Sequence, residues 1–103
     1  MSSPDLQGVA DDLAAAIGRA VAIDGPDMGL LAHTAHEGPV DAQRIHTVLQ
    51  RQASDDFVEH VARFDVSSAP GPVRIPAAPD LELLSRVCVP VRHERSLLGY
   101  IFL

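Results

Sequence analysis

The fold of this chain is decided by residues 87–103, which read V-C-V-P-V-R-H-E-R-S-L-L-G-Y-I-F-L. Two apolar runs flank the polar tetrapeptide 93–96, a pattern typical of a β-hairpin with a four-residue loop. The three valines of the first run alternate with other residues, so they share one face of a strand. The second run, 97–103, is apolar on both faces, and such a strand must be covered on both sides. We therefore predict a hairpin near the middle of a sheet, with helices or loops above and below it.

The composition limits the classes of function. The chain has 103 residues and a net charge of −6, from 14 acidic and eight basic residues. Its length is typical of one domain, so we predict a single domain over 1–103. All basic residues are Arg and form no basic stripe, which argues against direct binding of a nucleic-acid backbone by this domain. The single cysteine, Cys88, excludes an internal disulfide and fits a reducing cytosol. No signal peptide or membrane span is recognisable, and we expect a cytoplasmic protein.

Helical periodicity and capping residues predict three helices, at about 4–17, 41–52 and 55–64. The first is predicted to begin at Ser3-Pro4-Asp5 and to end at Gly18, and Asp41 is a suitable cap for the second. The side chains expected to face the sheet are Leu6, Val9, Leu13 and Ile17 in the first helix, Ile45, Val48 and Leu49 in the second, and Phe57, Val58, Val61 and Phe64 in the third.

Short strands are predicted between and after these helices. The segments 19–24 and 30–34 are apolar and are separated by the turn residues 25–29, which predicts a strand, a turn and a strand. Prolines on both sides of 73–75 allow only a short edge strand there, within a long surface loop over 65–80. One helical turn is expected at 81–84, before the hairpin.

No motif in the chain predicts catalysis. The five histidines lack metal-ligand spacing, no Gly-x-Ser-x-Gly occurs, and the acidic residues fit helix starts and solvated faces. Cys88 alternates with the valines of a central strand, which favours a buried small apolar residue over a nucleophile. We therefore predict that the chain is not an enzyme and that it binds no metal and no cofactor.

A few side chains are candidates for contact with a small molecule. His60 lies one helical turn from two phenylalanines, at the edge of a buried face, where it is either a ligand contact or a boundary histidine bonded to a carbonyl. Arginines that flank apolar strand residues clamp a carboxylate, keep a sheet edge from associating, or form a surface ion pair with Asp80 or Glu82. The candidate ligand contacts are His46, Phe57, His60, Arg74 and Arg86.

Three stretches carry a family resemblance: residues 87–103 quoted above, G-P-V-R-I-P-A at 71–77, and L-A-A-A-I-G-R-A-V-A-I-D-G-P-D at 13–27. With the order of elements, they resemble the GAF domain, a PAS-like sensor module. In particular they resemble the N-terminal sensory domain of actinobacterial transcriptional regulators of the PucR/CdaR type, which control purine and sugar-diacid catabolism. The resemblance implies an α/β (α+β) fold, a GAF/PAS-like antiparallel sheet with helices packed on both faces.

The resemblance also implies a regulatory role. It implies a domain that senses a small-molecule effector, forms a homodimer and acts on DNA through a C-terminal helix-turn-helix domain. No helix-turn-helix segment is present in this chain, and it stops at Leu103 before the last helix of such a domain, so we expect a fragment or a partner that covers the hairpin.

Two functions follow from these expectations. In the first, a small anionic or aromatic metabolite binds between the sheet and the helices at 41–64, and the loop at 65–80 gates the site. The alternative is a dimerisation and signal-relay module with a filled core and no ligand.

Overall fold

The computed structural model describes residues 5–34 and 40–103 and has an α+β fold. In chain order the elements are α1 (Leu6–Ile17), β1 (Ala22–Asp24), β2 (Leu30–His33), α2 (Ala42–Gln50), α3 (Asp55–Ala62), β3 (Val73–Ile75), β4 (Arg86–His93) and β5 (Ser96–Phe102). Short 3-10 turns at Val66–Ser68 and Pro79–Leu81 flank β3. The strands form one antiparallel sheet in the order β2-β1-β5-β4-β3. The predicted α+β class is confirmed.

The hairpin occupies the place predicted for it, because β5 is the middle strand of the five. Its loop is shorter than predicted. His93 and Ser96 pair with each other in the ladder, which leaves only Glu94-Arg95 as the turn. Glu94 adopts a left-handed conformation with a φ of 57°, as tight two-residue hairpin turns require. The polar tetrapeptide is therefore two strand ends and a two-residue turn.

Helices cover the sheet on both faces, as predicted. Helices α2 and α3 lie on the face that carries the larger core, and α1 lies on the opposite face against β1 and β2. Strand β5 serves both cores, with Tyr100 and Phe102 in the first and Ile101 against the second. The larger core includes Phe57, Val61, Ile75 and Cys88, and the smaller consists of Ala10, Val21, Ile23 and Ala32.

The one buried residue of α1 is not among the four that were predicted to face the sheet. Ala10 is fully buried, whereas Leu6, Val9 and Ile17 are 42%, 44% and 39% exposed. A small side chain at the contact allows the helix to lie close to β1 and β2. The larger apolar side chains at these three positions remain partly in solvent. The predicted sheet-facing stripe is therefore wrong at these three positions. Leu13 does pack against the smaller core.

The ends of α1 follow the capping rules. Asp5 is the N-cap and its carboxylate accepts a hydrogen bond from the Gln7 N–H at 3.1 Å. The predicted start at Ser3-Pro4 lies outside the described residues. Gly18 ends the helix in a left-handed conformation with a φ of 66°, as predicted.

Helix α2 is the most loosely packed of the three described helices. None of its residues is buried, and Ile45 and Leu49, both predicted to face the core, are 49% and 73% exposed. Only Val48 of the predicted three packs against the core. The charged side chain of Arg44 lies on the side of α2 that faces the sheet. The pattern of apolar residues in the sequence does not predict a charged residue there.

The segment 65–80 is better anchored than the predicted surface loop. Val66 and Ile75 are 2% and 0% exposed and belong to the larger core. The Nη1 atom of Arg92 donates a hydrogen bond to the Ala69 carbonyl oxygen at 2.6 Å, which ties the loop to β4. The edge strand within this segment, Val73–Ile75, is confirmed at the predicted residues.

Candidate ligand site under helix α2

A buried ion pair stands at the N-terminal end of α2. The Oδ2 atom of Asp41 accepts hydrogen bonds from the Arg86 guanidinium and from the Leu84 N–H, the latter at 2.9 Å. Its Oδ1 atom accepts from the Arg44 N–H at 2.8 Å and so caps the helix. Burial opposes the charge of Asp41, yet the bonds from Arg44 and Leu84 and the charge of Arg86 hold the pKa of this carboxyl below its usual value. Asp41 and Arg86 therefore neutralise each other.

A second aspartate, Asp24, lies beneath α2 at the end of β1. The residue is only 2% exposed, and its Oδ1 atom is buried with no hydrogen-bond partner among the described residues. Burial raises the pKa of Asp24 from its ordinary 3.8 to about 7, although the charges of Arg44 and Arg86 act against the rise. Near neutral pH the side chain is therefore divided between its carboxylate and carboxyl forms.

Arg44 faces the same space from α2. Its Nη1 atom is buried and has no hydrogen-bond partner within the described part of the chain. Burial and the nearby charge of Arg86 lower the pKa of Arg44, while the two aspartates raise it. A guanidinium keeps its proton in proteins, so Arg44 remains a cation. The residue is half-buried, and its buried Nη1 atom is not bonded to Asp24.

Asp24 and Arg44 line one cavity between the sheet, α2 and α3. The cavity measures about 20 Å³, roughly the room that one water molecule needs. The guanidinium of Arg86 also lines it and lies 5.2 Å above the ring centre of Phe57, within cation–π range. The apolar walls are Ala22, Leu30, Val48, Phe57 and Phe102. Thr47 is the remaining lining residue, so charged groups of opposite sign converge in a mostly apolar cavity.

Two of the five candidate residues named from the sequence, Phe57 and Arg86, meet at this cavity. The structure separates the other three from it. His46 on α2 and Arg74 on β3 are exposed to solvent.

His60 on α3 lines a different, more open hollow of about 300 Å³, with Asp80 and Leu81 on its far side. Its ring packs edge-on against Phe64, with the ring centres 5.2 Å apart. Its Nε2 atom is buried without a partner in the described structure, so the alternative of a boundary histidine bonded to a carbonyl is not realised at that atom.

The residues that complete the site, Asp24 and Arg44, were not recognised from the sequence, and Asp41 was recognised only as a helix cap. A signal for Asp24 does exist, since it ends the apolar strand segment A-V-A-I-D and shares a strand face with Ala22. A carboxylate at such a position either is buried with a partner or a functional role, or lies at the edge of the sheet in contact with solvent. The strand pattern alone does not decide between the two.

Cys88 lies on β4 and is fully buried. Burial, with a smaller contribution from the charge of Asp24, raises the pKa of its thiol to about 12. The thiolate is the reactive form, so Cys88 is an apolar core residue, as the sequence indicated.

Residues 5–34 and 40–103 contain no group of three or more His, Cys, Asp or Glu side chains placed to hold a metal ion. The described helices include none that is both long and apolar enough to cross a membrane. No protein-family model matches the chain, and no curated protein matches it either, so its function is inferred from the site itself.

Proposed function

We propose that this chain is a small-molecule-sensing domain of a transcriptional regulator, and that its effector binds under α2 when this helix moves away from the sheet. The movement is required because the cavity, at about 20 Å³, has room for only one water molecule while α2 is in place. One observation carries the proposal: Asp24 Oδ1 and Arg44 Nη1 are buried without a hydrogen-bond partner in the regions 5–34 and 40–103, and both side chains line the same cavity. An unpaired buried charge costs several kcal/mol, so such groups are normally bonded. The neighbouring Asp41–Arg86 pair is bonded in that way. Convergent polar groups in an apolar cavity, one with a displaced pKa, are typical of a binding site.

The position of the cavity supports a sensing role. It lies under α2, which has no buried residue and packs on the core through Val48. An element with few buried contacts opens at low cost, so a ligand beneath it changes its position or its mobility. The likeness of segments 71–77 and 87–103 to sensory domains of transcriptional regulators supports the regulatory context.

A thermal-shift screen tests the proposal. Purine breakdown products, dicarboxylic acids and aromatic acids would be added to the protein, and an effector at 100 times its Kd should stabilise it by about 2.7 kcal/mol. Arg44→Gln should abolish the stabilisation. Arg95→Gln, which changes an exposed arginine of the hairpin turn, is the matched control and should retain it. A ligand that stabilises the Arg44→Gln protein as well as the wild type binds elsewhere and contradicts the site.

A second candidate function is a ligand-free module for dimerisation and signal relay. It is favoured by the apolar surface of α1, where Leu6, Val9 and Ile17 are each about 40% exposed. Apolar side chains grouped on one helix are typical of an association surface. Sedimentation velocity over a range of concentrations should then show a dimer, which Val9→Lys should dissociate. A wild-type protein that remains monomeric at high concentration would exclude this function.

A further inference from the structure

A hollow much larger than the cavity under α2 lies beside the C-terminal part of α3. It measures about 230 Å³ and is bounded by α3, by the turn between β1 and β2, and by the 3-10 turn at Val66–Ser68. Within the described ranges it shares no lining residue with the cavity under α2. We infer that this hollow is a second binding site and that it takes a small organic cation, an amine attached to one apolar ring.

The floor of the hollow is apolar and well buried. Met28, Val61 and Val66 line it and are 6%, 2% and 2% exposed. An apolar cavity of about 150 Å³ in a protein can hold a benzene molecule, so this hollow has room for a ligand with one ring. Contact with these side chains would remove apolar surface of the ligand from water, which favours binding. The apolar part of the ligand is therefore assigned to the floor.

One polar side chain that lines the hollow has no partner for its polar atom. Tyr100 reaches it from β5 and is only 6% exposed. Within residues 5–34 and 40–103 its hydroxyl group forms no hydrogen bond with another protein atom. The hydroxyl of a buried tyrosine normally has a partner, and it can accept a hydrogen bond from an ammonium group. Tyr100 therefore offers a fixed point for the polar end of the ligand.

The charges that line the hollow favour a cation. Asp27 lines it from the turn between β1 and β2, and Asp65 from the chain reversal after α3. The Oδ1 atom of Asp27 accepts a hydrogen bond from the Gly29 N–H at 2.9 Å, which holds this carboxylate in position. The lining residues, all in the described part of the chain, include no arginine and no histidine. Two carboxylates without a neighbouring cation attract a positive group and repel an anion.

Arg92 is the basic residue that could oppose this selection. Burial and the nearby Cys88 raise the pKa of Tyr100, and the charge of Arg92 acts against the rise, so Arg92 lies within electrostatic reach of the phenol. It does not line the hollow, however. Its Nη1 atom donates a hydrogen bond to the Ala69 carbonyl oxygen at 2.6 Å. A ligand in the hollow would therefore contact the two carboxylates and not this guanidinium.

Titration of the isotope-labelled protein with three probes, followed by NMR of the backbone amides, tests the inference. Phenethylamine, phenethyl alcohol and phenylpropionate share one ring and a short chain and differ in charge. The amine should bind about fivefold more tightly than the alcohol, the gain expected from two solvent-exposed carboxylates, and phenylpropionate should bind most weakly. The amides that shift should include those of Met28, Val61 and Val66, and not those of Ala22 and Val48 in the cavity under α2.

Variants separate the roles of charge and space. Asp65→Asn should weaken binding of the amine about twofold and leave binding of the alcohol unchanged. Ala62→Phe, at an exposed position of α3 that lines the hollow, should fill it and weaken binding of both. Asp12→Asn removes an exposed carboxylate of α1 and is the control, which should bind the amine as the wild type does. If Ala62→Phe fails to fold, the shifts of the wild-type protein still locate the site.

The outcomes distinguish this inference from the sensing function. Equal affinity for the amine and the alcohol, or tighter binding of phenylpropionate, overturns the assignment of a cation. Shifts centred on the cavity under α2, or no saturable shift with any of the three probes, overturn the site itself. The thermal-shift screen with Arg44→Gln tests the effector site separately, so failure of one site leaves the other standing.

Discussion

Replacement of Asp24 by Asn should remove most of the pH dependence of stability between pH 5 and 8. Burial raises the pKa of Asp24 from 3.8 to about 7, so over much of this range the folded protein holds a proton that the unfolded chain has released. Because the pKa is raised on folding, the stabilisation is present at acid pH and is lost as the pH rises through 7. The shift corresponds to roughly 4 kcal/mol in all, of which about 3 kcal/mol is lost between pH 5 and 8.

Urea unfolding at several pH values measures this loss. The wild type should lose about 3 kcal/mol of unfolding free energy from pH 5 to 8, and Asp24→Asn should not show this loss. Asp12→Asn, at an exposed site on α1, is the control and should follow the wild type. The pKa of Asp41 is lowered on folding, so its stabilisation is lost only as the pH falls below about 4, outside this window. Parallel pH profiles of the wild type and Asp24→Asn would refute the reasoning.

Three further changes have expected outcomes. Gly99→Val should cost about 3 kcal/mol or more in unfolding free energy by urea titration, because a Cβ there would overlap the carbonyl oxygen of Asp24 and lie 3.4 Å from Gly25 Cα; an unchanged midpoint would show that β1 and β5 separate freely. Asp41→Asn should cost about 3 kcal/mol, since it leaves Arg86 buried without its counter-ion, and a loss under 1 kcal/mol would count against the pair. The thiol of Cys88 should react with Ellman's reagent only after unfolding, whereas rapid labelling of the folded protein would contradict its burial.

Local patterns in the sequence determined the secondary structure of this protein closely. The alternation of valines and the doubly apolar run at 97–103 placed the hairpin at the centre of the sheet, because a strand that is apolar on both faces must be covered on both. Prolines on either side of 73–75 limited that segment to a short edge strand, and Gly18 ended α1. These features depend on neighbours in the chain, which the sequence displays directly.

Packing between elements that are distant in the chain was harder to predict from the sequence. The apolar residues of α2 predicted a helix correctly, yet Ile45 and Leu49 point outward and Arg44 points inward. The orientation of a short, half-apolar helix depends on what lies beneath it, and here that is the acidic end of β1. No local pattern contains this information.

The candidate site shows the same division between sequence and tertiary structure. Phe57 and Arg86 were identified as possible ligand contacts from their positions beside apolar residues, and they do line the cavity. Asp24 and Arg44 are 20 positions apart and acquire their unusual state only when α2 lies over β1. The sequence by itself determined a central hairpin, an antiparallel α+β fold and a cysteine without reactivity. Only the tertiary structure decided that a carboxyl group and a guanidinium line one cavity, because their burial and mutual electrostatic field come from residues that are distant in the chain.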